Sequence, residues 1–336
     1  MSGSGQVVPG GSSVRPQVLT STSVKTIQRS ILAVVVGWTA LACGGGSAGG
    51  AAGGAKTVVA WQPPAEDSIP ADSMGAAIRR GLSLLRFTPE SLPRYATSNL
   101  RCVSCHQLDG RKLSAAPLVA SYARYPKYMP RTGAVVTIAD RVNYCVTRSL
   151  SGNALPADSR EMADIIAYLA FISKGAPVGG KTPGADGLIA MQDTLVGDTL
   201  RGKMLFQGTC VLCHGTDGAG AVAGVPSLWG PTSYSIGASM SRLERAASFI
   251  YHNMPQSNPG SLTAQQAFDL AAYVNSHPRP DSPGKENDYP AGGAPRDVPY
   301  ATMGHTPPGT PASLLPRANP KSATVPAPPS VRRGAP

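Results

Sequence analysis

The stretch Cys102-Val103-Ser104-Cys105-His106 decides the fold of this chain, and it recurs as Cys210-Val211-Leu212-Cys213-His214. A C-x-x-C-H run is the attachment site of a c-type haem, in which both thiols form thioether bonds to the porphyrin and the histidine ligates the iron. A single copy would also suit a thioredoxin-like redox pair or half of a zinc site. Because the run occurs twice, each time with its own histidine, the sequence predicts two covalent haem groups.

The composition suits small domains built around a buried porphyrin. The chain has 336 residues, enough for about two domains. Only 6% of the residues are aromatic and 15% are charged, whereas Gly (38) and Pro (32) are abundant, which is thin for two conventional cores. The predicted fold class is all-α: two tandem class I cytochrome c domains with long loops, flanked by disordered termini.

The formal net charge of +11 limits the classes of partner. The basic residues are spread along the chain, and neither a basic helix nor a basic stretch interleaved with aromatic residues occurs, so no nucleic acid is expected. A basic surface instead favours a small anion or an acidic electron carrier.

The first part of the chain is typical of an exported protein. No acidic residue precedes Glu66, and basic residues precede the apolar run 31–42, which is too short to span a bilayer. We therefore predict an export signal at 1–42. Leu41-Ala42-Cys43-Gly44 resembles a bacterial lipobox, which predicts a lipid on Cys43, a Gly-rich tether at 43–70 and a periplasmic protein held at a membrane. Plain signal cleavage, giving a soluble periplasmic protein, is the alternative.

Periodicity and composition divide the rest of the chain. The phrases Ala167-Tyr168-Leu169 and Ala272-Tyr273-Val274 correspond, late in each unit. Helices are predicted over 72–87 and 137–150, after the capping signals at 158–161 and 263–266, and over 202–210, whereas 122–131 is predicted to be a basic loop. The predicted domains are a first cytochrome domain at 71–175, a linker at 176–196, a second cytochrome domain at 197–279 and a disordered Pro-rich tail at 280–336.

The residue that completes each iron's coordination decides its role. For the second haem, the candidates are Met254, Met240 and His252. Met254 is preferred because it lies on a turn before the last predicted helix, and a His/Met pair raises the potential and suits electron exit.

For the first haem, the candidates are Met129, which precedes a proline, and Cys145, an unpaired thiol. Arg141 and Arg148 would lie about one helical turn to either side of Cys145 and favour its thiolate. A thiolate ligand lowers the potential of the iron. A buried, inert Cys145 remains open as an alternative.

Several phrases around both motifs occur in order and resemble the dihaem thiosulfate dehydrogenases. They are Tyr125-Pro126-Lys127-Tyr128, Arg141-Val142-Asn143-Tyr144-Cys145, Arg148-Ser149-Leu150-Ser151-Gly152, Pro226-Ser227-Leu228-Trp229-Gly230 and Asn253-Met254-Pro255. The resemblance implies that Cys145 ligates the active-site haem and that Met254 ligates the other. Some members place a lysine just before that methionine as a redox-dependent ligand, where this chain has Asn253.

The resemblance also implies an activity, which is oxidation of two thiosulfate ions to tetrathionate or the reverse. Electrons would pass from haem 1 to haem 2 and then to an external carrier such as another cytochrome. Our hypothesis is that Cys145 is both ligand and reaction centre, leaving the iron so that its sulfur bonds the outer sulfur of thiosulfate. The rival interpretation is a dihaem electron-transfer cytochrome without chemistry of its own, serving a membrane redox complex, with Met129 as the ligand of haem 1.

Overall fold

The computed structural model of this protein describes residues 61–192 and 194–307. The predicted export signal, Cys43 and the end of the Pro-rich tail lie outside these residues. In the part of the chain that is described, no helix has both the length and the apolar composition needed to cross a membrane.

The described residues are mostly helical. The helices of the first half are α1 (Ser73–Arg86), α2 (Thr88–Ser91), α3 (Cys102–Cys105), α4 (Ile138–Arg148) and α5 (Arg160–Phe171). Those of the second half are α6 (Thr199–Leu205), α7 (Val211–His214), α8 (Leu243–Asn253) and α9 (Ala264–Asn275), with a π-helical turn at Phe206–Cys210 between α6 and α7. Two strands, β1 (Lys127–Met129) and β2 (Ala134–Val136), form an antiparallel hairpin.

Local signals place the helix starts. Asp72 caps α1 by accepting a hydrogen bond from the Gly75 N–H, and Ser159 caps α5 in the same way for Met162. Thr263 and Gln266 form a capping box at the start of α9. The helices predicted over 72–87 and 137–150 and after the two capping signals are confirmed as α1, α4, α5 and α9.

The first and last helices of each half pack by the same contact. Gly81 of α1 lies against the backbone of α5, so that a Cβ there would be 2.0 Å from the carbonyl oxygen of Asp164. Gly202 of α6 stands in the same relation to Asp269 of α9, again at 2.0 Å. The preceding arginine of each pair forms an ion pair with that aspartate, at 2.7 Å in the first half and 2.8 Å in the second. The two halves therefore share one packing device.

Gly202→Ala should unfold at a lower temperature than the parent holoprotein. Because the new Cβ would meet a backbone carbonyl, α6 and α9 must separate, and overpacking of this kind costs about 1–3 kcal/mol. Gly208→Ala is the matched control, since a Cβ there meets nothing within 4 Å. Thermal unfolding followed by circular dichroism tests this, and equal melting temperatures for both variants would contradict the close-contact explanation.

The hairpin corrects the prediction of an all-α fold and of a loop over 122–131. β1 pairs with β2 in the register Lys127 to Val136, Tyr128 to Val135 and Met129 to Ala134. The hairpin leads directly into Thr137, whose side chain caps α4 by accepting from the Asp140 N–H. It thereby fixes where the helix that carries Cys145 begins.

The prediction that the tail is disordered from residue 280 is wrong for residues 280–307. Tyr289, Val298 and Tyr300 form a buried apolar cluster, against which Ile236 of the second half packs. The Tyr289 N–H donates to the Arg131 carbonyl, which ties the tail to the first half. No periodic pattern marks this segment, because its apolar residues are irregularly spaced and do not form one helix face.

Candidate haem-binding and active site

The first motif is positioned by hydrogen bonds from the start of α2 and from the loop that follows the motif. The hydroxyl of Thr88 accepts a hydrogen bond from the backbone N–H of Cys102 at 3.0 Å and lies 3.4 Å from its sulfur. The Nδ1 atom of His106 is hydrogen-bonded to the Ala116 carbonyl. That contact orients the ring and leaves Nε2 as the nitrogen available to a metal.

Cys145 lies beside this motif. Nη1 of Arg141 donates to Sγ of Cys145 at 2.8 Å, and the ring of His106 is near enough to this thiol to lower its pKa. Burial, joined by the negative charge of Cys145, raises the pKa of Cys102 to about 11 and that of Cys105 to about 12. The structure thus brings Cys145 close to Cys102, Cys105 and His106, which precede it by 43, 40 and 39 residues in the sequence.

The thiol of Cys145 has an environment that favours its anion. Burial alone would raise its pKa, but the positive charge of Arg141 and the contact with His106 outweigh burial and lower the pKa to about 7. A thiolate is the form of cysteine that attacks sulfur and binds iron. Arg141 therefore lies where helical spacing predicted, one turn before Cys145 and in contact with its sulfur.

Met129, the other predicted ligand of haem 1, lies in β1. It lines a cavity of about 440 Å³ between the hairpin and α4, together with Arg141, Asn143 and Tyr144. In this position it belongs to the wall of that cavity, whereas Cys145 is near enough to His106 for the imidazole to lower the pKa of its thiol.

Three guanidinium groups surround the ring of Tyr144, the residue before Cys145. Arg131, Arg141 and Arg148 lie 5.5, 5.3 and 4.8 Å from its centroid. Arg148, predicted to flank Cys145, has its guanidinium bound to Asp288 of the tail at 2.6 and 3.0 Å. Asp288 is not among the site residues predicted from the sequence. The general need of a buried arginine for a carboxylate partner was the only indication that such a residue exists.

The second motif lines an apolar cavity of about 300 Å³. Its walls include Cys210, Cys213, His214, Leu205, Phe206, Tyr234, Met240, Ile250, Met254, Leu270 and Val274. Both predicted methionines thus face the same space as His214. Burial lowers the pKa of His214, which favours the neutral imidazole that binds iron. His252 lies on α8 with its ring edge-on to Tyr251 at 4.9 Å.

These two donor sets fit haem c. Each offers a thiol pair, a histidine and a sulfur side chain, and the second encloses them in the apolar walls that a porphyrin requires. The same cavity is also lined by Val103, Ser104 and Cys105 of the first motif. The first motif thus forms part of the wall of the second site.

A buried amide joins the loops behind the two sites. Asn253 is fully buried, and its Nδ2 donates to the carbonyl oxygens of Ser114 (2.8 Å) and Phe249 (3.0 Å). Its Oδ1 accepts from the Ser114 hydroxyl at 3.0 Å. Ser114 is two residues before Ala116, the partner of His106, and Asn253 is directly before Met254. The polar contacts of Asn253 are thus all made to the protein.

Comparison with known proteins gives the family. The family described as "SoxA/TsdA, cytochrome c domain" matches residues 94–178, and the family described as "Cytochrome c" matches residues 200–278. A thiosulfate dehydrogenase of Psychrobacter arcticus is 40% identical over 240 residues, which cover 70% of this chain and 73% of that protein. A thiosulfate dehydrogenase of Allochromatium vinosum is 38% identical over 231 residues, which cover 66% of this chain and 85% of that protein.

A solved structure agrees with these matches. The thiosulfate dehydrogenase (TsdBA) of Marichromatium purpuratum superposes with a TM-score of 0.62 at 33% sequence identity. The match covers 67% of this chain and 50% of that one, so this chain spans half the length of the solved protein. The protein belongs to the thiosulfate dehydrogenase family and is a dihaem c-type cytochrome with two covalently bound haem c groups.

Proposed function

We propose that this protein oxidises thiosulfate to tetrathionate, or runs the reverse reaction, at Cys145. The observation that carries the proposal is the contact of Arg141 with Sγ of Cys145 at 2.8 Å, beside His106. An inert core cysteine needs no buried cation, whereas a nucleophilic thiol that receives a dianion does. The relatives that carry the name thiosulfate dehydrogenase support the same conclusion.

The proposed reaction at Cys145 has two steps, and atoms and electrons balance in each. The outer sulfur of one thiosulfate bonds to the Cys145 thiolate, and two electrons leave as this S–S bond forms. The outer sulfur of a second thiosulfate then attacks the sulfur bonded to Cys145, which makes the central bond of tetrathionate. The bond to Sγ breaks with its electron pair, and the thiolate of Cys145 is restored. Arg141 would hold the anionic groups against Sγ in both steps.

The residues of each motif would hold one haem. Cys102 and Cys105 would attach the first group, with His106 and Cys145 as iron ligands, and Cys210 and Cys213 the second, with His214 and Met254. Each bound haem would accept one electron, so that the two groups together would take up the two electrons released in the first step. Transfer from the first group to the second is supported by Cys105 of the first motif, which lies on the wall of the second site's cavity, and an external carrier such as a cytochrome would then remove the electrons.

The test is turnover by the purified holoprotein with thiosulfate and ferricyanide. We expect two ferricyanide reduced and two thiosulfate consumed for each tetrathionate formed. An electron paramagnetic resonance spectrum of the oxidised protein should contain a low-spin His/thiolate signal. Absence of turnover together with two His/Met signals would instead support the rival interpretation, a carrier without chemistry of its own.

Asn253→Ala should weaken the ligation by Met254. The change leaves the carbonyl oxygen of Ser114 without its buried donor, which costs about 1–3 kcal/mol and loosens the end of α8 directly before Met254. We expect the methionine–iron absorption band to weaken and the potential of haem 2 to fall. Ser114→Ala is the matched control, because it removes the hydroxyl contact and keeps both carbonyl contacts. Unchanged haem 2 spectra and potential in Asn253→Ala would contradict this role.

We further propose that the protein is exported and tethered through a lipid on Cys43. The support is the sequence alone, namely the basic segment, the apolar run 31–42 and the lipobox-like phrase that ends in Cys43-Gly44. Mass spectrometry of the mature protein tests this. An N-terminal cysteine carrying a diacylglycerol supports the tether, and an unmodified terminus elsewhere would favour the soluble periplasmic alternative.

A further inference from the structure

The tail reaches from the second cytochrome domain back to the Cys145 site. Residues 280–307 lie beyond both family matches, which end at residues 178 and 278. They nevertheless pack against the first half. Pro290 lies so close to Gly133, in the turn between β1 and β2, that a Cβ on Gly133 would be 2.5 Å from the proline ring. The hydrogen bond from Tyr289 to the Arg131 carbonyl fixes the same end of the tail.

Asp288 is the tail residue that enters the site. Its side chain is only 4% exposed and accepts hydrogen bonds from three side chains. Arg131 donates from Nε at 2.9 Å, Arg148 from both terminal nitrogens at 3.0 and 2.6 Å, and the Tyr300 hydroxyl at 2.6 Å. One carboxylate thus orients two guanidinium groups that the first domain supplies.

Those guanidinium groups are held around the residue next to Cys145. Arg131 and Arg148 lie over the ring of Tyr144 together with Arg141, which contacts Cys145. Within the described residues, Asp288 is the carboxylate with which Arg131 and Arg148 form ion pairs, and the Tyr144 hydroxyl is buried without a hydrogen-bond partner. The three arginines and Asp288 therefore keep a net positive charge beside the thiol. Asp288 holds two of the guanidinium groups in place and lowers that net charge by one.

We propose that Asp288 is a positioning residue for the reaction at Cys145, acting through Arg131 and Arg148. Without the carboxylate, the two guanidinium groups lose their common anchor, and the site gains one positive charge. Thiosulfate would then bind where the displaced guanidinium groups hold it, rather than in line with Sγ of Cys145. A small misplacement of a reactant lowers the rate by a large factor. The inference rests on the proposed oxidation of thiosulfate, and it adds a residue from outside both cytochrome domains to that site.

The test compares Asp288→Asn with Asp297→Asn in the full-length holoprotein. Asp297 is the matched control because it is a tail aspartate in a similarly buried ion pair, 2.6 Å from Arg242, and it also accepts from the Glu244 N–H. In Asp288→Asn we expect kcat/KM for thiosulfate to fall by about tenfold or more, mostly in kcat. The potential of haem 1 should rise, because a nearby negative charge is gone, while that of haem 2 stays unchanged. Asp297→Asn should lower the melting temperature similarly and leave kinetics and both potentials near those of the parent.

A second variant separates position from charge. Asp288→Glu keeps the negative charge but moves it by one methylene group, so we expect kcat to fall while the potential of haem 1 stays unchanged. Parent-like kcat/KM in Asp288→Glu overturns the positioning role, as does an Asp288→Asn protein that loses only thermal stability. If the parent itself does not turn over thiosulfate, the proposed function fails, and the potential shift of haem 1 in Asp288→Asn still decides whether Asp288 acts on the site.

Discussion

Cys145→Gly should abolish thiosulfate oxidation and leave both haem groups attached. The change removes the sulfur to which thiosulfate would bond, and no other thiol can replace it, because the remaining described cysteines belong to the two attachment motifs. Loss of a covalent nucleophile typically lowers turnover by about 10³-fold or more. Attachment should persist, since Cys102, Cys105, Cys210 and Cys213 are unchanged. Steady-state assays with ferricyanide measure the first effect, and mass spectrometry of the intact protein measures the second.

Met129→Leu is the matched control for this variant. It changes the other predicted ligand of haem 1, which lines the cavity under the hairpin. We expect turnover within about a factor of two of the parent, because Leu and Met have similar volumes. The opposite pattern, an active Cys145→Gly and an inactive Met129→Leu, would assign the iron to Met129 and support the electron-carrier interpretation.

Arg141→Gln should lower kcat/KM for thiosulfate by about 10²-fold, the usual effect of removing one charged donor from a reacting group. Arg141 is the donor to Sγ of Cys145, and the substrate brings two negative charges to that sulfur. Arg141→Lys keeps the charge but lacks the planar fork, so it should recover only part of the loss. Steady-state kinetics at constant ionic strength measure both variants.

Arg160→Gln is the control for overall charge. Arg160 belongs to the same cytochrome domain, its side chain is 73% exposed, and its nearest carboxylate is 3.8 Å away. Its replacement removes one positive charge and should leave kcat/KM nearly unchanged, because exposed charges are screened by salt. Equal losses in Arg141→Gln and Arg160→Gln would mean that net charge, rather than contact with Cys145, governs the rate.

The sequence was sufficient for features that local patterns encode. The two C-x-x-C-H runs are contiguous, and the caps at Asp72, Ser159 and Thr263 lie within four residues of the groups they bind. Arg141 is one helical turn from Cys145, so its contact follows from helical spacing. Each of these predictions depends on residues that are close in the chain.

The features that the sequence did not provide depend on distant contacts. β1 and β2 have three residues each, too few for an alternating pattern to stand out. Helical spacing placed Arg148 near Cys145, but it did not fix the direction of the long side chain, which Asp288 holds from 140 residues away. A single aspartate in a Pro-rich tail carries no local signal of that role.

The glycine contacts between first and last helices have a consequence for how the domains can be divided. Because Gly81 meets α5 and Gly202 meets α9, the beginning and the end of each cytochrome domain lie side by side. A segment can therefore extend from either domain without opening its core. The tail extends in this way from the second domain to Arg131 and Arg148 of the first. A fragment that ends at the linker would keep its haem motif, yet it would lack the carboxylate that anchors Arg131 and Arg148, and also Tyr234 and Ala238, which belong to its apolar core.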